Sequence, residues 1–411
     1  MALRILIVSQ WFDPEPFYKG LPFARQLAEY GHEVEVLTGY PNYPGGRVYP
    51  GYKIRPWMRE VQDGVRITRV ALYPSHDRSA LRRIGNYLSF CGSAVMLGSA
   101  LTNPADVIYA YHPPGTVGLA AIWLKYLKTA ALVYDVQDMW PDSLRATGMF
   151  NNTLALRAMH CVMKTVYKRA DRIIVLSQGF RDMLLDRGVP ERKVRVVWNW
   201  SPDECAAATW EDAPGESVRD DGRFTVVYAG NMGPAQALGA VLEAARRLQD
   251  LDSRVEFVLV GSGIERARLQ VRAQELGLRN VRFCAPVPVA EIGALLQSAD
   301  ALLVHLRDDP LFSVTIPSKT QSYLMAGRPI VMAVRGEAAE LVGRAGAGVT
   351  CEPENPVAIA EAVLHLARMT PHERQLMGKA GRGFYWSNLS FEHGVRQIEA
   401  IMREAAEERG R

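Results

Sequence analysis

What most constrains this chain is an alternation of short apolar runs with helical stretches, and the fact that the alternation runs twice. Apolar, β-rich runs occupy residues 5–9, 34–38, 65–70, 107–111, 131–135, 172–176 and 194–198. Helical stretches separate several of them, and Gly31 follows Leu27-Ala28-Glu29-Tyr30, where a helix would stop before the next strand. Such alternation predicts a mostly parallel sheet with helices on both faces. From residue 201 to 222 the chain is polar, with Pro202, Pro214 and Gly215, and reads as a linker or surface excursion. The pattern then restarts at 224–229, 255–260, 281–285, 301–305 and 330–334, with helices expected at 235–248, 265–276, 288–298 and 318–326. After Phe391 a charged amphipathic helix runs to the end. The expected architecture is α/β, with two Rossmann-like doubly wound domains, 1–200 and 201–390. Ligands of such sheets bind beyond the carboxyl ends of the strands, so two such edges facing each other would form a cleft.

Length and charge fit this picture. A chain of 411 residues suits about two domains. A net charge of +4 is too small to indicate a nucleic-acid partner. Cys91, Cys161, Cys205, Cys284 and Cys351 lie far apart with no C-x-x-C pair, which argues against a disulfide framework or zinc site and for a reducing cytosol. The apolar stretch 5–8 is too short for a signal peptide and reads as a first buried strand. Residues 84–105 carry no charge but are diluted by Asn86, Ser89, Ser93, Ser99 and Asn103. Three readings stay open for them: a membrane span, a buried helix, or a helix lying in the membrane surface with Arg78, Arg82 and Arg83 at anionic headgroups.

Several turns at strand ends carry chemistry. Ala229-Gly230-Asn231-Met232-Gly233-Pro234-Ala235-Gln236 joins a strand to an expected helix, and its two glycines would let backbone N–H groups cradle a diphosphate. Thr315-Ile316-Pro317-Ser318-Lys319 opens another helix. Ser318 is expected as its N-cap, with the Thr315 and Ser318 hydroxyls and the Lys319 ammonium suited to phosphate oxygens. Gly261-Ser262-Gly263 and Ala285-Pro286-Val287 follow two further strands and would line a pocket for a flat base. In the first half, His112 ends a strand before Pro113-Pro114-Gly115 and can donate to or accept from a reacting hydroxyl. Asp138, in Asp135-Val136-Gln137-Asp138-Met139-Trp140-Pro141-Asp142, would orient a sugar hydroxyl or cap the helix that Pro141 opens. Asp250-Leu251-Asp252 resembles a metal-holding D-x-D but precedes a strand, at the wrong edge of the sheet, so no metal site is assigned.

At these residues the chain resembles the retaining glycosyltransferases of family four, with the GT-B fold, and within them bacterial transferases of O-antigen, colanic acid and exopolysaccharide assembly, including N-acetylfucosaminyltransferase-like members. The resemblance rests on Pro41-Asn42-Tyr43-Pro44, Asp138-Met139-Trp140-Pro141-Asp142-Ser143, the segments 170–177 and 317–330, and Gly230-Asn231-Met232-Gly233. It implies a donor held mainly by the second domain, with Gly230 to Gly233 at the diphosphate, Val287 near the base and His112 near the transferred sugar. It also implies that Gly20 approaches the diphosphate and that the last helix, 391–411, completes the first domain. The chain departs from the family where two glutamates eight apart are usual, holding Val314 and Ser322 instead. It has Gln236 in place of the usual lysine, and Lys19-Gly20 in place of paired glycines. Lys319 is therefore expected to supply the missing charge and Ser322 a weaker ribose contact, with Glu337 an additional sugar or ribose contact.

The activity implied is transfer of a sugar from a UDP-sugar to a lipid-linked (polyprenyl diphosphate) saccharide in bacterial surface polysaccharide biosynthesis, with retention, no obligate metal and no other cofactor. It would take place in the cytoplasm on the inner face of the membrane. Rival readings are a sugar-nucleotide epimerase of the same architecture, a nicotinamide-dependent oxidoreductase and a non-enzymatic assembly factor. The oxidoreductase lacks its fingerprint: Gly230 and Gly233 do not form G-x-G-x-x-G, and the strand at 255–260 ends without a ribose-binding acid.

Overall fold

The computed structural model describes residues 2–75, 79–146, 152–202 and 222–410. The polar segment at 203–221, with Cys205, and Arg78 lie outside the described residues. The chain divides into two compact units, Met1–Val197 with Val395–Arg411, and Trp198–Gly394.

The first unit contains β1 (Arg4–Val8), β2 (Glu33–Gly39), β3 (Trp57–Gln62), β4 (Val65–Val70), β5 (Val107–His112), β6 (Ala131–Val136), β7 (Arg172–Val175) and β8 (Val194–Val196). They form one sheet in the order β3-β4-β2-β1-β5-β6-β7-β8. All pairings are parallel except that of β3 with β4. Its helices are α1 (Leu21–Glu29), α2 (Ala80–Leu101), α3 (Thr116–Lys128), α4 (Asp142–Ala146), α5 (Thr153–Arg169) and α6 (Gln178–Asp186). β5 and β6 are buried along their whole length, so their runs are apolar except for His112 and Asp135 near their carboxyl ends. β3 was absent from the sequence expectation. It is an edge strand whose residues alternate between exposed and half-buried, and it turns into β4 through Asp63 (φ 48°) and Gly64 (φ 81°). Two left-handed residues between antiparallel strands make the tight hairpin turn that Asp-Gly favours.

α2 spans the uncharged segment. Its residues Leu81–Leu101 are long and apolar enough to cross a membrane by length and composition, with mean hydropathy 1.2 and 28% of that window buried. One face, with Asn86, Tyr87, Phe90, Ala94 and Gly98, is buried, whereas Leu88 and Met96 are exposed. Of the three readings, a fully buried helix is therefore replaced by a helix packed on one side only.

The second unit holds β9 (Phe224–Ala229), β10 (Val255–Val260), β11 (Val281–Cys284), β12 (Ala301–His305), β13 (Ile330–Ala333) and β14 (Gly348–Thr350). They form an all-parallel sheet in the order β11-β10-β9-β12-β13-β14. Its helices are α7 (Gly239–Leu251), α8 (Arg266–Glu275), α9 (Val289–Gln297), α10 (Pro310–Ser313), α11 (Ser318–Ala326), α12 (Glu337–Arg344), α13 (Pro356–Arg368) and α14 (Pro371–Asn388). The sheet is sandwiched: Val227, Leu302 and Met332 face one apolar cluster, and Val226, Leu303 and Val331 the other. Neighbouring strand residues thus enter opposite cores.

The last helix, α15 (Phe391–Gly410), joins the first unit from Val395 onward. Its Val395, Ile398, Met402 and Ala405 are buried at helical spacing. Glu399 lies 3.0 Å from His32 Nε2, and Glu404 accepts from Arg172 at 3.0 Å.

Candidate functional site

In each sheet the strand order reverses beside one central strand. In the first unit β1 lies between β2 and β5, and in the second β9 lies between β10 and β12. Connections leaving the two neighbouring strands there run in opposite directions, which opens a crevice at the carboxyl ends. Gly20 follows β1 and His112 ends β5 at the first of these points, and Gly230, Gly261 and Lys319 follow β9, β10 and β12 at the second.

In the second unit, Gly230 leaves β9 with φ +139°, a conformation that L side chains rarely adopt. A β-carbon there would stand 2.6 Å from Lys319 Cε and 2.7 Å from Lys319 Nζ. Two anion-binding candidates that are 89 residues apart in sequence are therefore adjacent. The Lys319 ammonium lies 4.9 Å from the centroid of the Tyr228 ring. Among the described residues no carboxylate or carbonyl pairs with it. Burial pulls its pKa down to about 8. A half-buried cation over an aromatic ring, with no counter-ion, is a candidate contact for an anion. Its helix is fixed by Tyr323, whose buried hydroxyl accepts the Ala229 N–H at 2.9 Å.

The glycine turn itself differs from the expectation. The helix expected from residue 235 is a single 3-10 turn, Pro234–Gln236, followed by Ala237 at φ 44°, and α7 begins only at Gly239. Three of the four N–H groups from Gly230 to Gly233 already have partners. Gly230 donates to Val260 O at 2.8 Å, Met232 to Ser262 O at 2.8 Å, and Gly233 to Gln236 Oε1 at 3.0 Å. Gln236 Oε1 also accepts from Asn231 Nδ2 at 3.2 Å. The residue in the usual lysine position thus closes the turn on itself and leaves the backbone N–H of Asn231 available.

Other expected contacts are placed differently. The Met232 side chain is fully buried in the core. Gly261 (φ +140°) is required by close packing, because a β-carbon there would strike the Gly230 carbonyl. Ser318 is the first helical residue, with Pro317 as the cap, so its hydroxyl does not cap the helix. Thr315 Oγ1 donates to Leu311 O at 2.8 Å. Ser322 is buried, and its Oγ lies 2.9 Å from Ser201 Oγ. Val287 packs partly buried against the core. Glu337 opens α12 behind Gly336 (φ +76°), where a β-carbon would strike Ser313 O, so the exits of β12 and β13 touch. Asp252 pairs with Arg254 at the amino end of β10.

In the first unit His112 ends β5 fully buried, and among the described residues neither ring nitrogen has a partner. Trp140 meets it edge-on at 5.1 Å and Tyr134 lies at 5.9 Å. Burial alone pulls its pKa to about 3, so the imidazole is neutral at ordinary pH. Asp138 accepts the Trp140 indole N–H at 3.1 Å and so holds the ring that packs on His112. Burial raises the Asp138 carboxyl above its ordinary value. Gly20 caps α1, and a β-carbon on it would collide with Asp13, whose carboxylate takes the Leu21 N–H at 2.6 Å. The start of α1 thus already holds an anion of its own.

Sequence reasoning missed the most deeply buried charges. Lys19 Nζ lies 2.5 Å from Asp135 Oδ2, with both side chains at or below 1% exposure. Tyr109 and Gln137 also donate to Asp135. Glu15 is buried and accepts N–H groups from Phe12 at 3.0 Å, Asn42 at 2.7 Å and Tyr43 at 2.6 Å, which clips the first loop to the Pro41-Asn42-Tyr43-Pro44 motif. An acid at the end of an otherwise apolar strand was the one signal for Asp135. Its partner lies 116 residues away and only the fold reveals it.

Comparison with known proteins agrees with this architecture. Residues 21–200 match the glycosyl transferase 4-like domain, and residues 223–369 match the glycosyl transferases group 1 family. WcaI of Escherichia coli K12, named for a part in colanic acid biosynthesis, is 28% identical over 90% of this chain and 93% of its own. The glycosyltransferase WbjE of Pseudomonas aeruginosa is 23% identical over 72% of this chain and 74% of its own. The crystal structure of Anabaena Alr3699/HepE in complex with UDP-glucose superposes with TM-score 0.69 at 14% identity, covering 98% of this chain and 100% of that one. None of these supports the epimerase reading. The two matched domains and the two doubly wound sheets make this chain a glycosyltransferase of family four, the group 1 kind, with the GT-B fold.

Proposed function

We propose that this enzyme transfers a sugar, with retention, from a UDP-sugar to a lipid-linked saccharide in bacterial surface polysaccharide assembly, in the cytoplasm at the inner face of the membrane. The observation that carries the donor side is Lys319, an unpaired cation beside the backbone of Gly230 at the strand-order reversal. Lys319 stabilises the departing diphosphate, and the open N–H of Asn231 adds one hydrogen bond. Neither contribution calls for a metal. WcaI's name supports the polysaccharide setting, and a neighbour solved with UDP-glucose supports the nucleotide.

The chemistry follows from charge. The bond from the anomeric carbon to the phosphate oxygen breaks, its electron pair goes to the diphosphate, and an acceptor hydroxyl bonds to the same face. The hydroxyl proton passes to the leaving phosphate oxygen. His112, neutral in its buried place, acts as a hydrogen-bond partner that orients and stabilises, not as a nucleophile or an acid. Asp138 positions Trp140 behind it.

The test is a panel of nucleotide sugars scored by thermal stabilisation of the full chain. Turnover is then measured with the donor that binds and a polyprenyl-diphosphate saccharide. Release of UDP at a useful rate only with acceptor present supports the transferase. Conversion of the free donor with no acceptor refutes it.

A further inference from the structure

A groove of about 680 Å³ lies on the first unit between α5 and the connection from α6 to β8. Its floor is apolar, built by Met163, Tyr167, Val189 and Pro190. Its walls are basic: Lys164, Lys168, Arg187, Arg192 and Lys193 line it, with His160 at one side, against the single acid Asp186. Two of these cations are already committed. Arg187 donates to Trp140 O at 3.2 Å, and Lys193 to the carbonyls of Lys168 and Ala170 at 2.9 Å and 2.7 Å. Lys164, Lys168 and Arg192 have no side-chain partner among the described residues.

A second observation is independent of these surface charges. Tyr167 is 4% exposed; Arg187 stands beside its hydroxyl as a donor, and among the described residues no acceptor takes the phenol's own proton. A buried phenol with an unused O–H, at the floor of a basic groove, is a donor for an acceptor that the protein does not supply.

A third observation says what that acceptor is attached to. α3 packs against both α2 and α5, so the three helices adjoin. Together they contain no Asp or Glu, while α2 carries Arg82 and Arg83 and α5 carries Arg157, Lys164, Lys168 and Arg169; Lys125 of α3 is buried against Asp171, and Lys128 is bound to the Thr102 and Asn103 carbonyls. Large apolar side chains stand exposed among them: Leu88 and Met96 on α2, Trp123, Tyr126 and Leu127 on α3, and Leu154 on α5. Basic and aromatic residues with no acid, around exposed apolar side chains, match the chemistry of an anionic lipid surface.

The geometry points to the α5–α6 groove as a binding site for the phosphate of an anionic lipid, with Tyr167, Lys164, Lys168 and Arg192 on the phosphate and the α2–α3–α5 layer against the bilayer. None of these groove residues belongs to the donor site or touches His112 itself, although Arg187 and Tyr167 back the Trp140 and Tyr134 that pack on it. The site complements the lipid-linked acceptor of the transferase reading, and its test reads no turnover, so either can fail alone.

The full chain is tested by flotation with vesicles of phosphatidylcholine with and without phosphatidylglycerol. It is also titrated with water-soluble dihexanoyl-phosphatidylglycerol and with inorganic phosphate. Binding should require phosphatidylglycerol. The double variant Lys164→Ala/Lys168→Ala should weaken partition about 25-fold, since each basic residue at an anionic surface contributes about a five-fold factor. Tyr167→Phe, which keeps the packing, should weaken the soluble lipid about five- to ten-fold. The control Arg279→Ala/Lys379→Ala, with the same charge change on the second unit, should partition like the parent. Unchanged partition of the double variant, or unchanged lipid affinity of Tyr167→Phe, would overturn the site. Inorganic phosphate binding as tightly as the soluble lipid would overturn its assignment to a lipid.

Discussion

Lys319 fills the space that a side chain on Gly230 would need, with its Nζ 2.7 Å from the position of the missing β-carbon. This one relationship ties the two anion-binding candidates of the second unit into a single site. It makes Gly230→Ala a sharp probe. The substitution places a β-carbon at φ +139°, which costs about 1–3 kcal/mol, and pushes the ammonium aside. The expected result is a folded protein, with a modestly lower Tm, whose stabilisation by UDP is lost at concentrations that stabilise the parent. Equal UDP affinity in parent and variant would separate Lys319 from the donor.

The pKa of Lys319, lowered to about 8, predicts a pH dependence with a definite sign. The free enzyme loses the charge as pH rises through about 8, while a bound diphosphate favours keeping it. UDP affinity should therefore fall above pH 8, by up to about ten-fold per pH unit. Lys319→Arg keeps its charge and should show a flat profile, and Lys319→Ala should be weak throughout. Linkage gives the opposite trend for stability. Because folding lowers this pKa from 10.5, the unfolded chain binds more protons between about pH 8 and 10.5, and this residue's contribution to stability rises with pH there.

The buried pair of Lys19 and Asp135 anchors the first loop to the end of β6. Lys19→Met leaves a buried carboxylate with only Tyr109 and Gln137 as partners, and should destabilise the first unit by about 3–5 kcal/mol. Lys19→Met/Asp135→Asn removes both charges but keeps an acceptor oxygen for Tyr109, and should recover much of that loss. Calorimetry of the full chain checks this, with the second unit's transition as the internal reference.

The buried strands were legible because burial on both faces keeps a run mostly apolar, as in β5, β6, β9 and β10, each with one polar exception. β3 was passed over because its half-exposed edge weakens that signal, although Asp63-Gly64 held the hairpin in plain view. Gly230 and Lys319 were each visible as residues at strand ends, but their adjacency depends on Tyr323 docking α11 against β9. A motif fixes position along the chain and not the direction of a side chain: Ser322 lies with its Oγ against Ser201, and the Met232 side chain enters the core. The groove under α5 had no local motif, since its walls come from two segments separated in sequence.

His112 is the first unit's clearest test. Its imidazole is fully buried and its pKa is pulled to about 3 by desolvation, so it stays neutral in the folded protein across the working range. The unfolded chain takes up a proton near the ordinary value of 6.5 and the folded chain does not. This residue's contribution to stability is complete above pH 6.5 and is lost as pH falls from 6.5 toward 3, by up to about 1.4 kcal/mol per pH unit. His112→Phe should remove that slope from acid unfolding curves. In turnover, no inflection near pH 6.5 should trace to His112, and the pH profile of a His112→Gln variant should keep the parent's shape at a lower plateau. His112→Ala with nearly full kcat would take the imidazole out of the reaction, while a parent profile with a histidine inflection that the variant lacks would show that the ring titrates in place.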